Sequence, residues 1–268
     1  MVPDPNIPPS QPATPLVEVP PGTVPKAMPV PDAPVELTVK ATPETQPAVE
    51  VLKKFFAAKT WRERLKYVQL PEQLEPNMEE YYASNPDGPI SIGHIELLRH
   101  DKAPQQGSPH CVFEVSGPGL EGSLPIMVED SKTGYQVDWL TFTEFKDKLL
   151  LKFGQTYTER PARFHVMVRR THYFDDDVPQ MDKKQCFELQ PPMPGFTVNV
   201  FASKGTPLAK ELDRNLGWEV ANAAAIVELQ WRKQDNYQWI ELVNVPQYHW
   251  RTMPPGEQQV AKQTPGQK

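Results

Sequence analysis

The residue pair best suited to chemistry is Asp138 followed by Trp139. A carboxyl group that an indole ring shields from water has a raised pKa and can act as a general base. Four further side chains are of the types that line such a pocket: Tyr81, Tyr82, His94 and Glu96. In the structural alternative, Asp138 accepts a bond from a backbone N–H group or pairs with Arg62 or Arg64. Because no spacing ties an Asp, a His and a Tyr together, the sequence favours this structural role.

The histidines and cysteines form no recognisable metal or nucleophile motif. None of the histidines lies four residues from another on a predicted helix or beside a Cys-x-x-Cys element, as zinc sites require; they are His94, His100, His110, His165, His172 and His249. The acidic run Asp175–Asp177 lacks the spaced ligands and distal Glu of a calcium loop. Cys111 and Cys186 lie within predicted strands and are expected to be buried thiols. We therefore predict neither a metal site nor a bound cofactor.

The segment Gly117–Gly122 has the spacing of a dinucleotide-binding glycine motif. That motif needs a strand before it and a helix after it, whose N-terminus meets the pyrophosphate. Here a second strand is predicted to follow, and Pro118 stiffens the loop. The pattern therefore predicts a hairpin turn.

The C-terminal part of the chain is rich in aromatic residues, which are Tyr173, Phe174, Trp231, Tyr237, Trp239, Tyr248 and Trp250. On an exposed face of a β-barrel such rings stack on bases or sugars, and nearby arginines supply charge: Arg163, Arg169, Arg170 and Arg232. In the alternative they form the core and a contact between domains. Residues 160–252 carry 12 basic and 11 acidic side chains, so we predict that nucleic acid is not the partner.

The apolar periodicity changes from helical to alternating after the turn signal Asn85–Pro89, and returns to helical at Thr141. Capping boxes are predicted at Thr60–Glu63 and Thr141–Glu144. The first unit, residues 47–154, is predicted to hold three helices, four strands and one helix. In order these are a helix from residue 47, helices at 61–68 and 72–84, strands at 90–100, 110–116, 124–129 and 135–140, and a helix at 141–154.

A second unit is predicted over residues 160–252, after a short polar connector. Its elements follow the order strand, strand, strand, helix, strand, strand. Thr206 and Pro207 open the helix as N-cap and first helical residue, and Ala223–Arg232 with Tyr237–Val245 form a hairpin. This order is typical of an OB-like β-barrel. The fold class is thus α+β, with a disordered tail predicted at residues 253–268.

Proline is unevenly distributed: 14 of the 32 prolines fall in the first 50 residues. We predict a disordered, polyproline-like spacer at residues 1–46, or alternatively a ligand for a proline-recognising domain. The longest purely apolar run, Ala223–Val227, is far shorter than the ~18 residues that cross a bilayer, so no transmembrane segment is expected. The net charge of −6 argues against a general nucleic-acid binder.

Three short motifs, Thr60–Arg64, Met78–Tyr82 and Val137–Phe142, carry a resemblance. They resemble motifs of uncharacterised NTF2-like (SnoaL-like, cystatin-related) two-domain proteins of planctomycetes and verrucomicrobia, and Tyr173 and the strand with Cys186 look like their second part. The resemblance implies a cone of helices on a curved antiparallel sheet, an envelope association and no known reaction. Such proteins commonly have a membrane anchor before the linker. The helices-first order departs from the usual cone.

Three functions are consistent with these features. The first is a non-catalytic binding or assembly module, with a protein partner and an unknown small-molecule ligand. The second is an enzyme of the NTF2-like class that uses Asp138 as general base. The third is single-stranded nucleic-acid or glycan binding through barrel aromatics such as Trp231 and Trp239. The expected location is the cell envelope if an anchor precedes the spacer, and the cytoplasm otherwise.

Overall fold

The computed structural model describes residues 36–102, 108–193, 195–248 and 250. These residues form a mixed α+β structure of ten strands and six α-helices, with two curled mixed sheets. They belong to one compact unit. Most of the predicted spacer and the whole of the predicted tail at 253–268 lie outside the described residues. Within the described part, no helix has the length and apolar character needed to cross a membrane.

The first sheet has five strands in the order β1-β2-β3-β4-β5. Their bounds are β1 Thr38–Lys40, β2 His94–Asp101, β3 His110–Ser116, β4 Ser123–Ser131 and β5 Gly134–Val137. Strand β1 runs parallel to β2, and the other pairs are antiparallel. The turn at Gly117–Gly122 joins β3 to β4, which confirms the predicted hairpin. Strand β1 lies inside the segment that the sequence assigns to the spacer, so that part of the prediction is wrong. A strand of three residues that pairs through its backbone leaves no periodic side-chain signal in the sequence.

Helix α1 Gln46–Ala57 packs on strands β4 and β5 of this sheet, α2 Trp61–Arg64 packs against α1, and α3 Pro71–Ser84 packs against α2. The buried residues of α1 recur at helical spacing and include Leu52, Phe55 and Phe56. Phe55 and Phe56 meet edge to face, and each also meets Phe142. Helix α2 has the predicted cap, since the Thr60 side chain accepts the N–H of Glu63. The space between helices and sheet is therefore filled by side chains.

The largest fully buried side chain in the described part is that of Arg64, with no exposed surface. Its Nε donates to the carbonyl of Phe55 at 3.1 Å, and its Nη2 donates to the carbonyls of Ala58 at 3.4 Å and Gly88 at 2.5 Å. Its Nη1 donates to the hydroxyl of Tyr82 at 2.9 Å. One guanidinium thus joins the end of α1, α2, α3 and the loop that leads to β2.

The region around Asp138 differs from the prediction. The strand predicted to reach residue 140 ends at Val137, and the helix predicted to open at Thr141 begins at Trp139 as α4 (Trp139–Lys146). Asp138, not Thr141, is the N-cap. Both residue types are good caps, and the apolar periodicity does not choose between them. Lys148 then takes a left-handed conformation (φ 51°), which separates α4 from α5 (Leu149–Gln155).

The second sheet closes into a five-stranded barrel. Its strands are β6 Ala162–Thr171, β7 Lys184–Gln190, β8 Val198–Ser203, β9 Ala223–Gln234 and β10 Tyr237–Gln247, and helix α6 Pro207–Asn215 lies between β8 and β9. The order around the barrel is β10-β8-β7-β6-β9, with β8 parallel to β10 and the other pairs antiparallel. The Thr206 side chain caps α6 and Pro207 is its first residue, which confirms that prediction.

Replacing Arg64 by Leu is expected to lower the free energy of unfolding by about 3–5 kcal/mol, because two buried carbonyl groups and one partly buried carbonyl group lose their donor. Arg64→Lys is expected to recover only part of this loss, since an ammonium lacks the planar fork. Urea unfolding followed by circular dichroism measures both changes. The matched control is Arg62→Leu, whose exposed guanidinium pairs with exposed Glu79 and lies over the Trp61 ring. Equal losses for Arg62→Leu and Arg64→Leu would contradict this reading.

Candidate functional site

Asp138 acts as a helix cap in the structure. Its Oδ1 accepts the N–H of Thr141 at 3.1 Å, and the residue is 8% exposed. This bond from a backbone N–H group is one of the two partners that the structural alternative offered for Asp138, the other being an arginine. The adjacent Trp139 is buried, and its indole N–H has no acceptor among the residues described.

Two of the predicted pocket residues pack against Trp139. The rings of Tyr81 and Tyr82 lie 5.4 Å and 6.4 Å from its ring. Tyr81 donates its hydroxyl to Asp147 at 2.6 Å. Burial and this bond raise the pKa of Tyr81, so the phenol stays neutral. The hydroxyl of Tyr82 accepts a hydrogen bond from Arg64. The three aromatic residues thus come together as a packing cluster that joins α3 to α4.

His94 and Glu96 make their contacts elsewhere, on β2. The His94 Nε2 lies 3.1 Å from the Glu96 carboxylate, which also pairs with Lys40 at 3.2 Å. The hydrogen bonds from His94 and then Lys40 hold the pKa of Glu96 below its usual value. These side chains tie β2 to the parallel strand β1 and are not brought to Asp138.

A pair formed by an acid and a histidine, which no spacing in the sequence indicates, joins helix α4 to the barrel. The Glu144 carboxylate on α4 lies 2.7 Å from Nδ1 of His165 on β6, and its second oxygen accepts the His165 backbone N–H at 2.8 Å. Burial raises the pKa of Glu144 against the opposing bonds from His165. Burial also lowers the pKa of His165, but the bond and charge of Glu144 outweigh it and the net direction is upward. The sequence assigns Glu144 to a capping box with Thr141, and this local role gives no indication of its contact with His165.

The two tryptophans singled out by the sequence, Trp231 and Trp239, line one groove on the barrel. This cavity, the barrel groove, has a volume of about 330 Å³ and runs beside the connection between β6 and β7. Its aromatic wall is Tyr173, Phe201, Trp231 and Trp239, and its polar lining is Gln155, Asp177, Thr197, Asn199 and Gln238.

The groove's aromatic residues are held firmly. Trp231 donates its indole N–H to the carbonyl of Phe153 at 2.8 Å. Tyr173 donates its hydroxyl to Asp177 at 2.7 Å, and burial with this bond raises the pKa of Tyr173. Trp239 differs, because its buried indole N–H has no acceptor in the described part of the chain. The lining of the groove therefore contains a buried donor, the indole N–H of Trp239, that has no acceptor among the described residues.

Metal and thiol chemistry find little support among the described residues. No three His, Cys, Asp or Glu side chains there come close enough to hold a metal ion. Cys111 and Cys186 are free and buried, as predicted. Burial, with the nearby charge of Asp130, raises the pKa of Cys111 to about 11. Burial, with the nearby charge of Glu188, raises that of Cys186 to about 12. Both thiols are neutral at physiological pH.

Asp138→Ala is expected to lower the free energy of unfolding by about 1 kcal/mol, because the first turn of α4 loses its cap. Asp138→Asn is expected to keep most of this stability, since an amide oxygen accepts the same N–H group. Thermal or urea unfolding distinguishes the two variants. If Asn destabilises the protein as much as Ala does, the charge of Asp138 has a role beyond capping.

Glu144→Gln is expected to move the pKa of His165 from above its usual 6.5 to below it, since only burial then acts strongly on the ring. In the native protein both raised pKa values mean that the folded state binds protons more tightly than the unfolded state. The contribution of the pair to stability is therefore complete below about pH 4.5 and falls as pH rises through the folded pKa values. NMR titration of the His165 ring measures the shift. An unchanged pKa in the variant would rule out the pairing.

The comparisons with known proteins leave the function of this arrangement to be inferred from its own residues. A scan against protein-family models, a search of curated proteins and a search of solved structures each found no match.

Proposed function

We propose that this chain is a non-catalytic binding module whose barrel groove takes a neutral glycan. The observation that carries the proposal is the presence of Trp231 and Trp239 in one groove. Flat aromatic rings pack well against the C–H faces of sugar rings, and a few polar groups fix the orientation of the ligand. The amide side chains of Gln155, Asn199 and Gln238 are both donors and acceptors, which suits the hydroxyl groups of a sugar.

Charge favours a neutral chain over a nucleic acid. The lining of the groove contains Asp177 and no lysine or arginine among its described residues. A carboxylate repels phosphate groups, and binding of single strands depends on cationic side chains that follow the backbone. The ammonium of Lys184 lies 5.0 Å from the Trp239 ring, but it donates to the carbonyl of Pro179 and Lys184 does not line the groove.

The scaffold we propose has an NTF2-like first part and an OB-like barrel, as the sequence resemblance implies. In support, α1 packs on one curled sheet and α2 and α3 follow it in a continuous helical layer. The barrel has a helix between its third and fourth strands, and its third and fifth strands are parallel. OB-folds bind oligosaccharides and oligonucleotides on the face of their second and third strands. The groove includes residues of β8, the third strand of the barrel.

The enzyme hypothesis built on Asp138 receives less support. One oxygen of its carboxylate accepts the N–H of Thr141, and Asp138 is not among the residues that line the barrel groove. A general base must come within hydrogen-bond reach of the proton that it removes. We therefore favour binding without catalysis, displayed at the envelope on the proline-rich segment that precedes Glu36.

Isothermal titration of the full chain with cello- and chito-oligosaccharides tests the proposal. We expect saturable binding that is unchanged between about 50 and about 500 mM salt, because no ion pair forms. Trp239→Ala is expected to weaken binding at least about tenfold, since it removes one aromatic wall. Trp218→Ala is the matched control, because Trp218 is exposed but lies outside the groove. Salt-sensitive binding of a thymidine oligonucleotide, with no binding of either glycan, would overturn the proposal.

A further inference from the structure

A second cavity lies on the other side of the β6–β7 connection and is here named the barrel-end pocket. Its volume is about 410 Å³, within the usual range for small-molecule sites. It is lined by the end of β6, the start of β7 and two residues that flank α6. The residues are Arg170, Thr171, His172, Tyr173, Met181, Asp182, Lys184, Gln185, Cys186, Lys204 and Trp218. Only Tyr173 lines both this pocket and the barrel groove.

The innermost polar group of this pocket is an amide with an unused acceptor. Gln185 is 6% exposed, and its Nε2 donates to Asp213 at 3.0 Å. Its carbonyl oxygen is buried and accepts no hydrogen bond from a described residue. A buried acceptor without a donor costs about 1–3 kcal/mol, so this position favours an incoming N–H or O–H group.

Cationic side chains dominate the charge of the lining. Lys204 donates to the carbonyl of Asp182 at 2.7 Å, and Lys184 donates to that of Pro179. An ammonium has three donors, and neither lysine pairs with a carboxylate among the residues described. Burial lowers the pKa of Lys184, because its hydration is incomplete. With Asp182 as its one described carboxylate, the lining has a local excess of positive charge in a chain whose net charge is −6.

Aromatic surface stands exposed at the mouth of the pocket. The ring of His172 stacks on Trp218 at 4.4 Å, with 25° between the planes, and Phe174 continues the stack at 5.9 Å. Trp218 is nevertheless 54% exposed and Phe174 88% exposed. Large aromatic side chains left open beside a cavity mark a surface where a planar ring can bind.

We propose that the barrel-end pocket binds a small phosphorylated molecule with a planar ring, of the size and chemistry of a nucleoside monophosphate. The phosphate is held by Lys184 and Lys204, the ring lies against Trp218, and a ring amino group or a sugar hydroxyl donates to Gln185. Arg170 does not hold the phosphate, because it pairs with Asp213 at 2.5 Å and so fixes the acid that orients Gln185.

This site shares only Tyr173 with the barrel groove among the described lining residues. The charged side chain of the groove is Asp177, whereas the pocket is lined by three cations, Arg170, Lys184 and Lys204, and one carboxylate, Asp182. Removal of Lys204 is therefore expected to leave glycan binding intact. Trp231→Ala is expected to leave phosphate binding intact, because Trp231 lines the groove and not the pocket.

Titration of the full chain with adenosine and uridine monophosphates, followed by indole NMR signals and by calorimetry, tests this site. We expect saturable binding that shifts the Trp218 indole signal. Inorganic phosphate alone and adenosine alone are each expected to bind at least about tenfold more weakly, because each offers only part of the ligand.

Lys204→Ala and Trp218→Ala are expected to weaken monophosphate binding at least about fivefold, and Gln185→Met about tenfold. Lys210→Ala is the matched control, since this exposed lysine of α6 does not line the pocket. Lys204 is exposed, so its variant separates loss of binding from loss of folding. Absence of binding up to about 10 mM, or equal binding by the Lys204→Ala variant, would overturn the proposal.

Discussion

The buried guanidinium of Arg64 is the constraint on which the first half of the molecule depends. Helix α2 has four residues and is too short to be stable by itself. Its position follows from Arg64, which satisfies carbonyl groups at the end of α1 and in the loop before β2. Because the carbonyls of Phe55 and Ala58 are buried, displacement of α2 would leave them without a donor.

Further contacts connect Arg64 to Trp139 and then to the second sheet. Arg64 holds Tyr82, the tyrosines pack on Trp139, and Trp139 begins α4 directly after its cap, Asp138. Helix α4 then presents Glu144 to His165 on the barrel. A chain of specific contacts thus leads from α1 to β6. The residues that looked most like an active site are, in the structure, parts of this connection.

Much of the fold could be predicted because its signals are local. Thr206 and Pro207 mark a helix start, because Thr suits the N-cap and Pro suits the first helical position. Alternating apolar residues indicate the strands of the barrel. Asp138 and Thr141 are equally good caps, and only packing of the whole helix chooses between them. Strand β1 pairs through its backbone, which leaves no mark in the side-chain pattern.

Some residues of the candidate site could be predicted from the sequence and others could not. Aromatic content pointed to Trp231 and Trp239, which do meet in one groove. The pairing of Glu144 with His165, 21 residues apart, depends on how α4 lies against β6, and no spacing rule encodes it. Trp218 and Gln185 stand out only because one is exposed beside a cavity and the other is buried with a free acceptor. Exposure and burial are properties of the folded chain.

Tyr173 is the wall that the barrel groove and the barrel-end pocket share. A ligand on one side that changes the average position of this ring changes the shape offered to a ligand on the other side. Thermodynamic linkage then requires the effect to be reciprocal, each ligand altering the affinity of the other by the same factor. The connection between β6 and β7 is thereby more than a loop between strands: its one phenol, fixed by Asp177, is the natural place for two occupancies to become interdependent.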